Sequence, residues 1–481
     1  MTDGGLIVHA DICGAYARVM TLAAVDRYDS DRISERASHA VVVGGSMTGL
    51  CVARVLADAF ERVTVVERDD LPDEPVARDG APQTSQPHVM LEAGRATLED
   101  LFPGFGERLL SAGGLMVDAM STVEWYDQGG FLADAPERVP MYASSRALIE
   151  HVVRQAVAAR DDVHLRDGCR VTRYRTTDDS SRVTGVAVRD GGGVETTLSA
   201  ALVVDATGRT SRTPAWLDDH GYERPPVDEV EVDVTYSTVR IERPPDDRRV
   251  FFVPPSAPRT RGGVVFPIED GQWEVVLQGV NGDETPTESG AFVDFAESLP
   301  VAEVSDLVSN RTWTADISHY PFPSSVRRRY WDLDRFPDGL VVTGDAIASF
   351  NPVYGQGMSV GALNALVLHH TLAADGLDEV AGHFFDRIEP VVDDVWQLAV
   401  GADFDFAGTT GPKPTGTDVF NRYFDRLVRE AHTDPVVREA LSRVLLLEKP
   451  PSTLLRPAVV WRALTPGDAG PLQPLTSVTS G

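Results

Sequence analysis

A strand, a glycine-rich turn, a helix and a second strand follow one another near the start of the chain, and this order restricts the fold more than any other feature. AVVVG is a short apolar run, MTGLCVARVLADAF has the apolar spacing of a helix, and VTVVER is a second apolar run that ends in an acid. Two strands joined by a crossover helix indicate a parallel sheet. The sequence therefore predicts an α/β fold with a Rossmann-like unit at residues 39–67.

The turn inside this unit has the glycine spacing of a dinucleotide site. Gly44 permits the tight turn, Gly49 lets the helix pack closely on the sheet, and the helix N-terminus faces a pyrophosphate. Glu67 lies 18 residues after Gly49, where a carboxylate accepts hydrogen bonds from a ribose diol. Ser46 stands where the GxGxxG pattern has its middle glycine. We expect this turn, with Gly45, to hold the ADP half of a dinucleotide.

A second motif, LVVTGDAIASFNPVYGQGM at 340–358, indicates which dinucleotide it is. Asp345 follows a buried strand and suits the hydroxyls of a ribityl chain, while Pro352, Gly355 and Gly357 suit backbone approach to the flavin pyrimidine edge. A helix starting near Met358 would direct its positive end at flavin N1. The pattern favours FAD over NAD. The alternative interpretation is a Gly/Pro turn that merely precedes a helix.

Charge and cysteine content exclude several classes of partner. Asp plus Glu number 73 against 44 Lys plus Arg, a formal net charge of −29, and such a field repels nucleic acid. The three cysteines are isolated, so neither a disulfide framework nor a metal site is expected. No apolar run of membrane-spanning length and no basic-apolar leader is seen. We expect a cytoplasmic protein.

The remaining patterns divide the chain. VEVDVTYSTVRI at 230–241 alternates apolar and polar residues, and further strand-like runs follow it as far as residue 279, which predicts an antiparallel sheet beside the substrate. The predicted fold class is α/β, with a Rossmann-like FAD-binding domain interleaved with an antiparallel-sheet substrate domain, plus a mostly helical C-terminal region. The predicted divisions are an N-terminal extension at 1–38, the first part of the FAD-binding domain at 39–225, the substrate domain at 226–335, the second FAD part at 336–378 and the helical region at 379–481.

Taken together, these motifs resemble those of the FAD-dependent monooxygenase superfamily that includes p-hydroxybenzoate hydroxylase and squalene epoxidase. The glycine turn, DATGRTS at 205–211 and GDAIASFNPVYGQGM at 344–358 occur in the order and separation of that family. ARDGAPQTSQPHVM at 77–90, SRALIEHVV at 145–153 and SFNPVYGQGMS at 349–359 look like bacterial polyketide epoxidases that act on polyether precursors. The resemblance covers about residues 39–405.

The resemblance also implies roles for individual residues. It places Gly44, Ser46, Gly49, Glu67 and Arg68 around the ADP half. It brings Arg146 to the FAD phosphate or ribityl region, and Arg78 either there or to the loop around the isoalloxazine ring. It links Asp205, Gly208 and Ser211 to the pyrophosphate and to NAD(P)H use, and it assigns to the flavin end Gly344, Asp345, Pro352, Gly355, Gly357 and Met358. Asn364 departs from the family, where many relatives have an acid.

The activity that the resemblance implies is oxygen transfer. NAD(P)H reduces FAD, O2 adds at flavin C4a, and one oxygen passes to a C=C bond of an apolar polyketide or terpenoid. No catalytic side chain is assigned, because the flavin carries the chemistry. His88, in the loop expected beside the flavin, either contacts the cofactor or substrate or only caps its own loop.

Two other activities stay open at this point: hydroxylation of an aromatic polyketide, and ring closure by a non-redox cyclase that contains FAD. A halogenase is disfavoured, because the chain has no WxWxIP segment and its only lysines, Lys413 and Lys449, follow the flavin motif. The oligomeric state and the choice between NADH and NADPH are not indicated by the sequence.

Overall fold

The computed structural model describes residues 25–78, 80–86, 88–136 and 138–465. The predicted N-terminal extension therefore lies outside the described residues as far as residue 24. The first unit forms as expected, with β1 at Ala37–Val43, helix α1 at Met47–Ala59 and β2 at Phe60–Val66. The two strands pair in parallel.

A five-stranded parallel sheet is built on this unit. It is completed by β7 (Val163–Arg166), β11 (Leu202–Asp205) and β17 (Leu340–Val342), in the order β17-β11-β1-β2-β7. Strand β11, which ends at Asp205, lies between β1, which precedes Gly44, and β17, which precedes Gly344. Because parallel strands end at the same edge of a sheet, all three glycine-bearing turns meet there.

The second large element is an eight-stranded sheet. Its strands are β4 (Val123–Asp127), β5 (Gly130–Phe131), β12 (Val227–Glu242), β13 (Val250–Val253), β14 (Arg261–Ile268), β15 (Gln272–Val280), β16 (Ser318–Arg328) and β18 (Ala348–Ser349). They lie in the order β18-β16-β12-β15-β14-β13-β4-β5. Neighbouring strands are antiparallel, apart from the parallel pair β13 and β4. Two of the strands come from within 39–225 and one from within 336–378, so the division of the chain into domains stays a proposal.

Two small sheets accompany these. One is antiparallel and consists of β8 (Cys169–Thr176), β9 (Val183–Asp190) and β10 (Glu195–Ser199), and the other pairs β3 (Leu115–Asp118) with β6 (Pro140–Ala143).

Helices cover the sheets and form the C-terminal region. One apolar core runs from the parallel sheet into these C-terminal helices without interruption, so that burial of apolar area ties the C-terminal helices to the parallel sheet. Among the described residues, no helix has the length and apolar character needed to cross a membrane. The remaining helices are α2 (Glu92–Leu101), α3 (Phe105–Ser111), α4 (Arg146–Ala158), α5 (Thr213–Asp219), α6 (Ser289–Glu297), α7 (Glu303–Asn310), α8 (Gly357–Asp375), α9 (Val380–Asp403), α10 (Thr417–Glu430), α11 (Pro435–Leu445) and α12 (Pro457–Leu464).

Candidate cofactor site

The first glycine turn requires glycine at two of its positions. Gly44 has a φ of +108°, and a Cβ there would lie 2.5 Å from the Ala206 carbonyl oxygen. A Cβ on Gly49 would lie 1.9 Å from the Gly44 carbonyl oxygen. The first contact holds the turn against the loop after β11, and the second holds α1 against the turn. The roles expected of these glycines in packing follow directly from this geometry.

Glu67 closes the turn from the end of β2. Its Oε2 accepts a hydrogen bond from the Gly45 backbone N–H at 2.7 Å, and its Oε1 accepts from the backbone N–H groups of Arg68 and Asp69 at 2.7 and 3.1 Å. The Glu67 side chain is buried. The carboxylate is therefore fixed beside the turn, where the sequence places a ribose. Arg68, by contrast, points outward, with 55% of its side chain exposed.

Ser46 belongs to a buried ion network, and this accounts for its departure from glycine. Its hydroxyl donates to Glu150 Oε2 at 2.7 Å and accepts from Arg146 Nη2 at 2.9 Å. Arg146 also pairs with the same Glu150 oxygen at 2.9 Å. A glycine at 46 would remove the group that joins the turn to α4. Glu150 was not predicted from the sequence, although an acid one turn after Arg146 in the otherwise apolar SRALIEHVV is a signal for a buried pair.

Arg78 completes this network from the loop after β2. It donates to Glu150 Oε1 at 3.0 Å and to Asp69 Oδ2 at 2.6 Å, and it lies 3.5 Å from Glu67 Oε2. Burial by itself would raise the pKa of Glu150, but Arg146 and Arg78 outweigh it and hold the pKa below its ordinary value. Arg146 Nη1 and Arg78 Nη2 are buried and have no hydrogen-bond partner in the described part of the chain. Unpartnered guanidinium N–H groups at a dinucleotide turn suit the oxygens of a pyrophosphate.

Asp205 organises the DATGRTS loop from the end of β11. Its two oxygens accept from Thr207 N, Thr207 Oγ1, Ser211 Oγ and Thr213 Oγ1 at 2.5 to 2.9 Å. Four donors saturate a carboxylate. Asp205 therefore shapes the loop, including Ser211. Gly208 follows with a φ of +78°, and a Cβ there would lie 3.9 Å from Asp345 Cβ.

Asp345 lies between the motifs, with its Cβ close to Gly208. Burial raises the pKa of Asp345 to about 6, although Arg209 and Arg146 oppose the effect. The side chain is nevertheless accessible to solvent. An accessible carboxyl group at this position is available to hydroxyl donors, and its role in binding ribityl hydroxyls stays a prediction.

Gly344, the residue before Asp345, contacts the first turn of helix α1. Gly344 has a φ of +64°, and a Cβ there would lie 2.9 Å from Thr48 Oγ1. Asn364, with its amide oxygen turned toward Gly344, accepts from the Gly344 N–H at 2.9 Å and donates to the Val360 carbonyl at 3.0 Å. The uncharged Asn364 amide thus supports the turn at Gly344 and Asp345, which we call the GD turn. The sequence resemblance implies an acid at this position in many relatives.

The loop 351–357 exposes two of the residues that are predicted to contact the flavin. Pro352 and Gly357 are exposed, Gly355 has a φ of +66°, and a Cβ on Gly357 would meet no atom within 4 Å. Helix α8 begins at Gly357, with Met358 buried in its first turn. Backbone N–H groups at an open helix N-terminus are available to a ligand. The predicted flavin contacts are thus placed together, without side chains in the way.

His88 lies next to this loop, and its ring is neutral. Nδ1 lies 2.9 Å from the Gln86 carbonyl oxygen, which makes Nδ1 the protonated nitrogen and Nε2 an acceptor. Burial, assisted by Arg146, lowers the pKa of His88 to about 4. The adjacent Val89 Cβ is 3.8 Å from a Cβ built on Gly355. His88 therefore borders the predicted flavin end as a neutral acceptor, while its Nδ1–H bond also fits the loop-capping interpretation.

One face of the large sheet is more polar than a purely apolar substrate chamber would be. Gln86 accepts from Thr238 Oγ1 at 2.5 Å and donates to Ser318 Oγ at 3.2 Å, which ties the His88 loop to β12 and β16. Glu274 on β15 is buried and pairs with Arg240 at 2.8 Å.

No metal-ligating group of three or more His, Cys, Asp or Glu side chains occurs within the residues that the structure describes.

Comparison with known proteins agrees with this geometry. A family model described as an FAD binding domain matches residues 37–380. Protein Rv3254 of Mycobacterium tuberculosis (strain ATCC 25618 / H37Rv) is 31% identical over 434 residues, which cover 87% of this chain and 91% of that protein.

Solved structures share the fold at low identity. A flavoprotein/dehydrogenase from Cytophaga hutchinsonii has a TM-score of 0.64 and 14% identity, covering 90% of this chain and 99% of its own. PqsL, a probable FAD-dependent monooxygenase from Pseudomonas aeruginosa, has a TM-score of 0.58 and 18% identity, covering 81% of this chain and all of its own. The predicted fold class is confirmed. Because the family model matches well over half of its residues, the chain belongs to the FAD-binding-domain family.

Proposed function

We propose that this protein is an FAD-dependent monooxygenase that takes electrons from NAD(P)H and transfers one oxygen atom of O2 to a C=C bond of an apolar polyketide or terpenoid. The observation that carries the proposal is the convergence of the three glycine-bearing turns, with Thr48 against Gly344 and Gly208 against Asp345. The sequence resemblance to polyketide epoxidases supports a polyketide or terpenoid as the substrate. PqsL, which is described as a probable FAD-dependent monooxygenase, has the same fold as this chain.

The residues present fit FAD at both ends. At the ADP end, Glu67 would accept from the ribose and the unpartnered Arg146 Nη1 would donate to the pyrophosphate. At the flavin end, Asp345 would accept from the ribityl chain, and the N-terminus of α8 would stabilise negative charge on the ring. The chemistry that bound FAD would supply is the acceptance of electrons from NAD(P)H and the activation of O2.

The protein's own contribution is to position the substrate and to exclude water. The substrate would lie beside the loop 351–357 and against β12 and β16, the two strands to which Gln86 fastens the His88 loop. No side chain is needed as a base for epoxidation of an unactivated alkene. A closed chamber protects reactive species from water during transfer.

Hydroxylation of a phenolic ring is a second candidate, favoured by one specific arrangement. Tyr354 in the loop 351–357 donates to the buried Asp403 at 2.9 Å, and Tyr236 on β12 donates to Asn351 at 2.8 Å. Hydroxyl groups joined to a carboxyl group suit a substrate that carries an ionisable hydroxyl of its own, since deprotonation of a phenol makes its ring more nucleophilic.

Isotope transfer tests the proposal without the natural substrate. Protein loaded with FAD and reduced with dithionite in the absence of air is mixed with ¹⁸O2 and either styrene or 1-naphthol. We expect ¹⁸O in styrene oxide if the first candidate is right, and in a dihydroxynaphthalene if the second is. Two results together contradict both candidates: the reduced FAD is reoxidised without labelled product from either probe, and neither NADH nor NADPH reduces the bound FAD. The non-redox cyclase would then be the activity that remains.

A further inference from the structure

A buried carboxyl group in the C-terminal helical region is connected to the loop 351–357. Asp403 is the last residue of α9 and is only 1% exposed. Its Oδ1 accepts from Asn351 Nδ2 at 2.8 Å and from Tyr354 OH at 2.9 Å. These two donors lie on either side of Pro352, so a single oxygen atom holds both ends of the turn that we assign to the flavin.

Asn351 extends this connection into the large sheet. Its Oδ1 accepts from Tyr236 OH on β12 at 2.8 Å and from Val353 N at 3.2 Å, and its backbone N–H donates to Ser325 Oγ on β16 at 3.1 Å. The amide nitrogen and oxygen have different partners, so the amide has one orientation. Helix α9, the loop and the sheet are thus joined at Asn351 and Asp403.

We propose that Asp403 is a positioning residue for the cofactor: through Asn351 and Tyr354 it holds the loop 351–357 in the conformation that binds flavin. This inference rests on the proposed function, because it takes that loop as the flavin-binding loop. It also brings into the site a residue that lies beyond the family match, which ends at residue 380.

Among the residues that the structure describes, no cation pairs with the Asp403 carboxyl group. The titratable groups that face it are Tyr354 in the loop and Tyr236 on β12, with Tyr320 of β16 beside Tyr236. Lys413, the nearest lysine along the chain, pairs with Asp418 instead. In the described part of the chain Asp403 Oδ2 has no hydrogen-bond partner. Ionisation would therefore place an uncompensated charge in the interior.

This absence of compensation determines the direction of the pH effect. Burial raises the pKa of Asp403 to about 7, against the opposing hydrogen bonds from Asn351 and Tyr354. In a released loop the carboxyl group would be hydrated and would ionise at its ordinary, lower pKa. Proton binding therefore favours the held loop, and ionisation above about pH 7 favours its release. A neutral Asn would hold the loop at any pH.

The test compares FAD binding by Asp403→Asn, Asp403→Ala and wild-type protein between pH 5 and 9. Binding is followed by quenching of FAD fluorescence and by the visible circular dichroism of the bound flavin. Asp405→Asn is the matched control, because it makes the same change two residues away on an exposed side chain.

We expect the affinity of wild-type protein and of Asp405→Asn to fall above pH 7, and the affinity of Asp403→Asn to stay constant there. Asp403→Ala, which removes the acceptor, should bind FAD about tenfold more weakly and with altered circular dichroism even below pH 7. Tyr354→Phe removes one of the two bonds and should weaken binding less, while keeping the fall above pH 7.

The inference is overturned if Asp403→Asn retains the wild-type pH dependence, or if Asp403→Ala binds FAD as the wild type does. If the Ala variant does not fold, the Asn and Phe variants decide. Failure of the wild-type protein to bind FAD at any pH would instead overturn the proposed function, so the two failures are distinguishable.

Discussion

Gly344 lies against Thr48, although 296 positions separate them in the sequence: a methyl group added at Gly344 would come within 2.9 Å of Thr48 Oγ1 and Cγ2. The contact joins the GD turn to the first turn of α1. It can form because β1, β11 and β17 are neighbours in one parallel sheet, whose strands deliver their turns to the same edge. The two ends of the cofactor site are therefore positioned by a direct contact.

Gly344→Ala should disrupt this contact and weaken FAD binding by about tenfold or more, because Thr48 and the turn must separate. The matched control is Gly416→Ala, just before α10. Gly416 is also in the left-handed region, with a φ of +84°, but a Cβ there meets no atom within 4 Å. Both variants should lose about 1–2 kcal/mol of unfolding free energy from the left-handed backbone, and only Gly344→Ala should lose affinity.

The double variant Thr48→Ala, Gly344→Ala should recover part of the FAD affinity, since it removes Thr48 Oγ1 and Cγ2. Equal FAD dissociation constants for the two single glycine variants, measured by fluorescence titration, would show that the contact has no bearing on the cofactor.

Glu150→Gln should destabilise the cofactor-free protein by about 2–4 kcal/mol, because Arg146 and Arg78 lose the buried carboxylate that they share. The pyrophosphate of FAD carries negative charge and should restore part of this loss. The measurement is the melting temperature with and without FAD, and we expect FAD to raise it more in the variant than in the wild type. A smaller FAD-induced rise in Glu150→Gln would place the pyrophosphate away from these arginines.

Asp345→Ala should weaken FAD binding by roughly 1.5–3 kcal/mol, since the ribityl hydroxyls lose a charged acceptor. The pKa of Asp345 is raised to about 6, and hydroxyl donors favour its ionised form. Wild-type affinity should therefore decline as the pH falls below about 6, and Asp345→Asn should lose this decline while retaining the one above pH 7. Unchanged flavin content in Asp345→Ala would remove this residue from the site.

Glu274 should make the folded protein less stable as the pH rises. Burial raises its pKa to about 7 in spite of Arg240, and Glu269 adds to the effect. The folded state then holds a proton that the unfolded state releases near pH 4.5, so stability declines between about pH 4.5 and 7, by roughly 3 kcal/mol for a shift of this size.

Denaturant unfolding at several pH values checks this effect. Glu274→Gln should flatten the decline, whereas Glu242→Gln, an exposed acid on the neighbouring strand β12, should leave it unchanged. Parallel stability curves for Glu274→Gln and the wild type would show that Glu274 does not titrate in this range.

The sequence predicted the parts of the site that depend on backbone geometry. Gly44, Gly49, Gly344 and Gly355 were identifiable because turns and close contacts restrict those positions to glycine, and the fold class followed from the strand and helix patterns. The GD helix begins at Gly357, one residue before the expected Met358.

The side-chain networks were not predictable from local patterns. Ser46 was read only as a departure from glycine, whereas it joins Arg146 and Glu150 across 100 positions of sequence. Asp403 lies in a tail that was described only as helical, and its partners come from a loop about 50 residues earlier. Such pairs are determined by tertiary packing, about which a single sequence carries no direct signal.

Titration of cofactor-free protein with FAD, FMN and ADP measures directly which part of FAD each end of the site binds. We predict one FAD per chain, bound far more tightly than either fragment, with Glu67→Gln weakening FAD and ADP but not FMN, and Asp345→Asn weakening FAD and FMN but not ADP. A protein that stays colourless and binds no flavin after incubation with FAD would contradict the account.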